Sequence, residues 1–259
     1  MRLLSLAAGT ILDVQPAEAV TVAATAGFPA VGIWYDHATW NARVAAGVRS
    51  RLDDTGMVAL DVEPIMLSEA GDHGDVIVDA AIEVGARNIL VASRDGDHVR
   101  VASRLEALAR RLAGTDIRLV LEFLPVLAVR SLPEALAIVH AVDHPAVGVL
   151  VDALHLSRAG HVPGDLRGID PHLLPYLQLC DAPAAPVDRT IATLLHEALH
   201  GRLLPGDGDL PLAELLVTVP NVPVSLELRS DALRTAYPDP VHRARAVLAA
   251  TQQVLLSTS

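Results

Sequence analysis

Four polar side chains that could bind a metal ion or move a proton each follow a short apolar run, and they are Glu122, Asp152, Gln178 and Glu227. Runs of this kind are typical of strands covered on both faces, as in parallel sheets. The carboxyl ends of parallel strands meet at one face, where α/β barrels carry their active sites. We therefore expect the four side chains to lie close together.

These four residues would offer a metal ion only oxygen ligands. A carboxylate buried at a strand end is costly unless a positive charge compensates it, and a divalent cation would do so. Three carboxylates and one amide favour Mn²⁺ or Mg²⁺, admit Co²⁺ and disfavour Zn²⁺, so one divalent metal ion is the predicted cofactor. The alternative, which the sequence leaves open, is that these groups cap helices or pair with arginines such as Arg94, Arg202 and Arg229.

His155 follows Asp152 by three residues and lies in the exiting loop or first helical turn of the predicted structure. It is close enough along the chain to turn back toward the same site. The simpler interpretation is that Asp152 caps the next helix while His155 is solvated.

The elements that must position these residues form eight alternations of strand and helix. Strands are predicted at 3–8, 30–34, 57–62, 88–92, 118–121, 147–151, 176–179 and 222–226. Strand 57–62 is expected to end at Glu63 because Pro64 biases the chain toward a loop. A chain of 259 residues suits an α/β fold with a single (β/α)8 TIM barrel, which typically needs ~250 residues. One domain over residues 1–259 is predicted, with an open doubly wound sheet as the second choice.

The amino-acid composition limits the kinds of molecule that the protein is expected to bind. The net charge is -11 and no basic run occurs, which argues against nucleic-acid binding through phosphate neutralisation. The single cysteine, Cys180, excludes an intramolecular disulfide, and no stretch resembles a signal peptide or a membrane span. We predict a cytoplasmic protein with a small-molecule substrate and no membrane partner, and homo-oligomerisation is left open.

Five segments together resemble a known family. They are Leu-Glu-Phe-Leu-Pro at Glu122, Asp-Ala-Leu-His at Asp152, Gln-Leu-Cys-Asp-Ala-Pro at Gln178, Arg-Leu-Leu-Pro-Gly-Asp-Gly at Arg202 and Ser-Leu-Glu-Leu-Arg-Ser at Ser225. This ordered set resembles the xylose-isomerase-like TIM barrels, which include metal-dependent sugar isomerases and epimerases, inosose and 3-dehydroshikimate dehydratases, and endonuclease IV-type nucleases. The resemblance implies that Glu122, Asp152, Gln178 and Glu227 are metal ligands and that His155 contacts substrate.

The chain differs from two branches of the family, and these differences show which branch it resembles more. Most sugar epimerases of the family have His where this chain has Gln178, and Gln there resembles the 3-dehydroshikimate dehydratase branch. The nucleases use a histidine-rich cluster of several zinc ions, which this acidic chain lacks.

The predicted function is a divalent-metal-dependent isomerase or epimerase of a sugar, sugar phosphate or related polyhydroxy carbonyl compound, acting through a metal-stabilised enediolate. Glu122 and Glu227 are assigned as an acid/base pair that also binds metal, and His155 as a donor to a substrate oxygen. A dehydratase of the 3-dehydroshikimate or inosose type is the first alternative, and a non-catalytic barrel with a vestigial site is the second. The predicted substrate-binding residues are Arg94, Arg189, Arg202 and Glu63.

Overall fold

A closed barrel of eight parallel strands forms the centre of the computed structural model, which describes residues 2–257. Each strand pairs with the next along the chain, and the eighth pairs with the first. The strands are β1 (Leu4–Leu6), β2 (Ala30–Trp34), β3 (Val58–Leu67), β4 (Asn88–Ser93), β5 (Arg118–Glu122), β6 (Val147–Asp152), β7 (Leu177–Leu179) and β8 (Val224–Leu226).

Helices connect the strands and surround the barrel. They are α1 (Pro16–Ala26), α2 (Ala42–Thr55), α3 (Gly74–Val84), α4 (His98–Arg111), α5 (Leu132–Val142), α6 (Ala153–Arg158), α7 (Ile191–His200), α8 (Leu212–Thr218), α9 (Asp231–Ala236) and α10 (Pro240–Leu256). The predicted single (β/α)8 TIM barrel is confirmed, and the open doubly wound sheet is wrong. That residues 1–259 form one domain stays a prediction, since Met1, Thr258 and Ser259 lie outside the described residues.

Side-chain caps set where several helices begin. The Asp239 carboxylate accepts a hydrogen bond from the backbone N–H of His242 at 2.8 Å, which starts α10 as its Asp-Pro sequence predicts. The sequence Ser-Leu-Pro-Glu at Ser131 is typical of a capping box, which is half formed at the start of α5. Ser131 accepts from the Glu134 N–H at 3.5 Å, whereas the Glu134 carboxylate accepts from the N–H of Arg130.

Two layers of apolar side chains make up the core. The larger layer lies between the strands and the helices, and Leu6, Val62 and Leu226 point into it. The smaller layer fills the barrel interior with the buried side chains of Ala30, Leu60, Leu90, Val120, Leu150 and Tyr176. Because strand residues alternate between faces, the neighbours of the outward side chains point to the barrel axis.

At their carboxyl ends, two strands differ from the prediction by more than one residue. β3 does not end before Pro64 but continues to Leu67, because Ile65 and Met66 pair with β4 beyond a register shift that accommodates the proline. β1 stops at Leu6, and Ala8–Thr10 forms a single 3₁₀ turn. Within residues 2–257, none of the helices combines the length and the apolar character needed to cross a membrane.

Candidate active site

The four oxygen-bearing side chains lie at the carboxyl-end mouth of the barrel. Glu122 and Asp152 are the last residues of β5 and β6, Gln178 is the central residue of β7, and Glu227 directly follows β8. Asp152 and Gln178 are register partners across neighbouring strands. All four side chains are buried.

The guanidinium of Arg202 joins two of these carboxylates. Its Nη1 lies 2.6 Å from Oδ2 of Asp152, and its Nη2 lies 3.2 Å from Oε2 of Glu227. Burial alone would lower the pKa of Arg202, but the two carboxylates raise it well above its usual value. The alternative that these groups pair with an arginine is therefore what the structure shows for Asp152 and Glu227.

Asp152 also caps α6, because its Oδ1 accepts a hydrogen bond from the backbone N–H of His155 at 3.0 Å. Although burial opposes ionisation, the positive charge of Arg202 lowers the pKa of Asp152 below its usual value. The helix cap thus fixes an ionised carboxylate at the barrel mouth.

His155 is buried in the site and is not solvated. Its Nε2 lies 3.4 Å from Nη2 of Arg202 and 3.9 Å from Oε1 of Glu122. Burial lowers the pKa of His155, so the imidazole is neutral near pH 7. A neutral imidazole can donate one hydrogen bond and accept another.

Glu122 and Glu63 carry raised pKa values. Burial is the main cause for both, and neighbouring carboxylates add to it, with Asp152 contributing most at Glu122 and Asp61 most at Glu63. Each of these glutamates therefore needs a proton or a nearby positive charge.

The donor chemistry of the site fits a divalent cation. Both amide atoms of Gln178 are buried and have no hydrogen-bond partner among the described residues, and Glu122 faces like charges that a cation would offset. As the side chains stand, residues 2–257 contain no group of three His, Cys, Asp or Glu residues arranged to hold a metal ion. Arg202 takes up the charge of Asp152 and Glu227 in this arrangement.

A cavity of about 450 Å³ opens above these residues. Its floor carries Glu63, Glu122, His155, Arg202 and Glu227. Much of its wall is apolar and includes Met66, Leu90, Leu124, Val126, Leu127 and Leu195. The cavity can therefore hold a small molecule with a polar reacting group and an apolar side.

The predicted substrate-binding residues do not all reach this cavity. Arg94, Arg202 and Glu63 line it, whereas Arg189 does not and donates a hydrogen bond to the carbonyl oxygen of Arg158 at 2.7 Å. The placement of Arg189 gives no support to a substrate contact, because its guanidinium is engaged by the chain itself.

Trp34 and Arg229 lie in the wall of the cavity beside the polar groups, and neither was predicted as a substrate contact. The guanidinium carbon of Arg229 lies 5.3 Å from the centre of the Trp34 ring, and its Nε lies 3.6 Å from Oε1 of Glu227. Both line the cavity. Only their positions in the sequence could have indicated that they line the site, because Trp34 ends β2 and Arg229 follows Glu227 by two residues.

Comparisons with known proteins identify the family and the fold of the chain. The profile of the family described as Xylose isomerase-like TIM barrel matches residues 20–252. A 3-dehydroshikimate dehydratase of Pseudomonas putida is 26% identical over 238 residues, which are 85% of this chain and 37% of the relative. The chain thus spans little more than a third of the length of that relative.

Solved structures share the fold over nearly the whole chain. The crystal structure of IolI protein with a bound zinc atom has a TM-score of 0.84 at 15% identity, covering 100% of this chain and 99% of that one. A D-allulose 3-epimerase of Methylomonas in complex with D-allulose has a TM-score of 0.72 at 15% identity, covering 97% of each chain.

Proposed function

The chain belongs to the xylose isomerase-like TIM barrel family, and from that premise we propose that its barrel mouth is the active site of a divalent-metal-dependent enzyme that removes a proton from the carbon next to a carbonyl group. The observation that carries the proposal is that Glu122, Asp152, Gln178 and Glu227 come from four consecutive strands at the barrel mouth. Glu122 and Glu227 also line one cavity there. Relatives named for such chemistry, a dehydratase and an epimerase, support it.

Glu122, Asp152, Gln178 and Glu227 would hold the cation. When bound, a divalent cation supplies Lewis-acid polarisation of the substrate carbonyl. Mn²⁺ and Mg²⁺ remain the favoured ions because the donors are oxygens, with Co²⁺ also admitted. The zinc in the IolI structure supports a divalent metal at this barrel mouth and leaves its identity to be measured.

The side chains of the site divide the proton chemistry between them. Glu122 and Glu227 line the same cavity from β5 and from the end of β8, so one can take a proton while the other returns or donates one. The raised pKa of Glu122 suits a group that takes up a proton and gives it back. Neutral His155 donates a hydrogen bond to a substrate oxygen, and Arg202 orients an oxygen or anionic group beside it.

Dehydration is one outcome of this proton abstraction. Its support is the relative named as a 3-dehydroshikimate dehydratase, together with the resemblance of Gln178 to the dehydratase branch of the family. The apolar wall around Leu90, Leu124 and Leu127 adds to it, because a ring with few hydroxyl groups is better matched to such a surface than a free sugar.

Isomerisation or epimerisation of a sugar or sugar phosphate is the second candidate. It is favoured by the presence of both Glu122 and Glu227 on one cavity, since an epimerase must return the proton to a different face or position. A non-catalytic barrel is the least supported interpretation, because each of the four donor positions carries an oxygen donor. Cytoplasmic location and the oligomeric state stay predictions.

Product analysis tests the proposal. The Mn²⁺-loaded protein is incubated with D-fructose, ketose phosphates, inososes and 3-dehydroshikimate, and the products are separated by chromatography. An unsaturated product that absorbs in the ultraviolet identifies a dehydratase, and a new isomer identifies an isomerase or epimerase. Glu122→Gln should abolish the product, while Glu83→Gln, which alters an exposed glutamate on α3, should not.

A further inference from the structure

A second cavity lies at the opposite end of the barrel from the candidate active site and has a volume of about 610 Å³. Asn88 and Arg118, the first residues of β4 and β5, line it. So do Pro175 and Pro223, which come shortly before β7 and β8. Because the strands are parallel, these positions mark the amino ends of the strands, whereas the candidate active site lies at their carboxyl ends. The two cavities are therefore separate.

The side chain of Arg118 points to the barrel axis. Residues two apart on a strand share a face, and Val120, two residues after Arg118, belongs to the interior layer. Leu150 of β6 belongs to the same layer, so Gly148 faces the interior too. A Cβ built on Gly148 would lie 3.1 Å from Nη2 of Arg118. The guanidinium therefore lies beside β6 at the amino end of the barrel, in space that a larger residue at position 148 would fill.

The guanidinium of Arg118 has no hydrogen-bond or ion-pair partner among the described residues. Its Nε is buried and unpaired, and no carboxylate within residues 2–257 lies within 4 Å of the side-chain nitrogens. Asp170 acts on Arg118 only from a greater distance, and its carboxylate accepts a hydrogen bond from the backbone N–H of His172 at 2.9 Å. Burial lowers the pKa of Arg118, but a guanidinium keeps its proton near neutral pH. This half-buried charge therefore lacks the counter-charge that would offset its loss of water.

The charges around the cavity favour a carboxylate over a phosphate dianion. Arg87 and Asp116 also line the cavity, and Asp170 is close enough to act on Arg118. The two acidic side chains would repel a dianion more strongly than a monoanion. Part of the lining is apolar and suits the hydrocarbon part of an organic molecule, and it consists of Leu60, Ile82, Ile117, Pro175 and Pro223.

We propose that this cavity at the amino end of the barrel binds a small organic molecule with one carboxylate group, and that Arg118 pairs with the carboxylate. The planar guanidinium can donate two parallel hydrogen bonds to the two carboxylate oxygens. The apolar part of the lining then contacts the rest of the molecule. Because the site shares no residue with the candidate active site, the proposal does not depend on the proposed function.

Calorimetric titration with benzoate tests the proposal, at constant ionic strength and in a buffer without other carboxylates. Benzamide is the uncharged probe of the same shape, and inorganic phosphate is the more highly charged anion. The parent protein should bind benzoate at least about tenfold more tightly than benzamide, and more tightly than phosphate. Arg118→Gln should weaken benzoate binding about tenfold or more, because it removes a charge-assisted pair. Arg94→Gln is the matched control, since it removes an arginine at the barrel mouth, and it should bind benzoate as the parent does.

A crystal structure of the parent protein with benzoate should show the carboxylate within hydrogen-bond distance of the Arg118 guanidinium. This structure decides the proposal if Arg118→Gln does not fold. Benzoate bound only at the barrel mouth, or not bound at all, would overturn the proposal, as would equal affinities for benzoate and benzamide or tighter binding of phosphate. A folded Arg118→Gln protein with the benzoate affinity of the parent would show that Arg118 does not pair with the carboxylate.

Discussion

Nη1 of Arg202 lies 2.6 Å from Oδ2 of Asp152, and both side chains are almost completely buried at the barrel mouth. The two residues are fifty positions apart in the chain, so this ion pair depends on the closed barrel. It makes Arg202 the internal counter-charge of a site that would otherwise hold uncompensated carboxylates.

Removing this counter-charge should make the protein depend on metal. Arg202→Gln is expected to lower the free energy of unfolding of the EDTA-treated protein by roughly 3 to 5 kcal/mol, the usual cost of breaking a buried ion pair. Mn²⁺ should then raise the melting temperature of the variant more than that of the parent, because a cation replaces the missing charge. Urea unfolding and thermal melts measure both effects.

Arg167→Gln is the matched control, since Arg167 pairs with Glu214 at 3.5 Å on the surface, where ion pairs contribute little. Equal unfolding free energies for the two variants would show that the pair of Arg202 and Asp152 does not stabilise the site.

Asp61 predicts a pH dependence of stability. Its pKa is about 7 in the folded protein and near 3.8 when unfolded, so the folded state keeps a proton that the unfolded state has lost. The contribution of Asp61 to the free energy of unfolding is therefore fully present below about pH 4. It is lost progressively as pH rises to about 7, by an amount on the order of a few kcal/mol. Asp61→Asn cannot ionise and should lose less stability between pH 5 and pH 8 than the parent, as measured by urea unfolding in EDTA. Identical losses would show that Asp61 does not titrate in this range.

Gln178 should set the metal preference. Gln178→His replaces a hard amide oxygen by an imidazole nitrogen, which shifts affinity toward Zn²⁺ and Co²⁺ relative to Mn²⁺. Competition titrations measure the ranking, and Gln252→His on the exposed face of α10 controls for adventitious binding by a new histidine. If the ranking in Gln178→His equals that of the parent, Gln178 does not bind the metal.

His155 should act on the substrate and not on the metal. His155→Ala is expected to slow turnover by about a hundredfold or more, the usual contribution of a positioned acid or base, while Mn²⁺ affinity stays within a few-fold of the parent. Steady-state kinetics and Mn²⁺ titration separate the two, with His172→Ala in an exposed 3₁₀ turn as the control. A loss of metal affinity equal to the loss of turnover would place His155 in the metal shell.

The sequence predicted the barrel because short apolar runs recur with helices between them, and the strand ends that follow these runs mark one face. β2 has the predicted boundaries. The continuation of β3 past Pro64 was not predictable from local signals, because it depends on pairing with β4 after a register shift.

The contacts between the side chains of the site were harder to predict than the residues that form it. The sequence named Arg202 among arginines that could pair with the carboxylates, but its two contacts depend on residues far along the chain. Asp61 was overlooked, although an acidic residue within the apolar segment Val-Ala-Leu-Asp-Val was a visible signal. Its burial follows from the missing side chain of Gly32, which only strand register reveals.

Carbon-bound deuterium is the measurement that tests the central claim most directly. The Mn²⁺-loaded protein is incubated in D₂O with the same panel of ketoses, ketose phosphates, inososes and 3-dehydroshikimate, and incorporation is followed by NMR. We predict deuterium at the carbon next to the carbonyl of at least one compound, at a rate that falls about a hundredfold or more in Glu122→Gln and not in Glu83→Gln. A protein that holds one Mn²⁺ per chain and neither exchanges a proton of any compound in the panel nor dehydrates one would contradict the proposed chemistry.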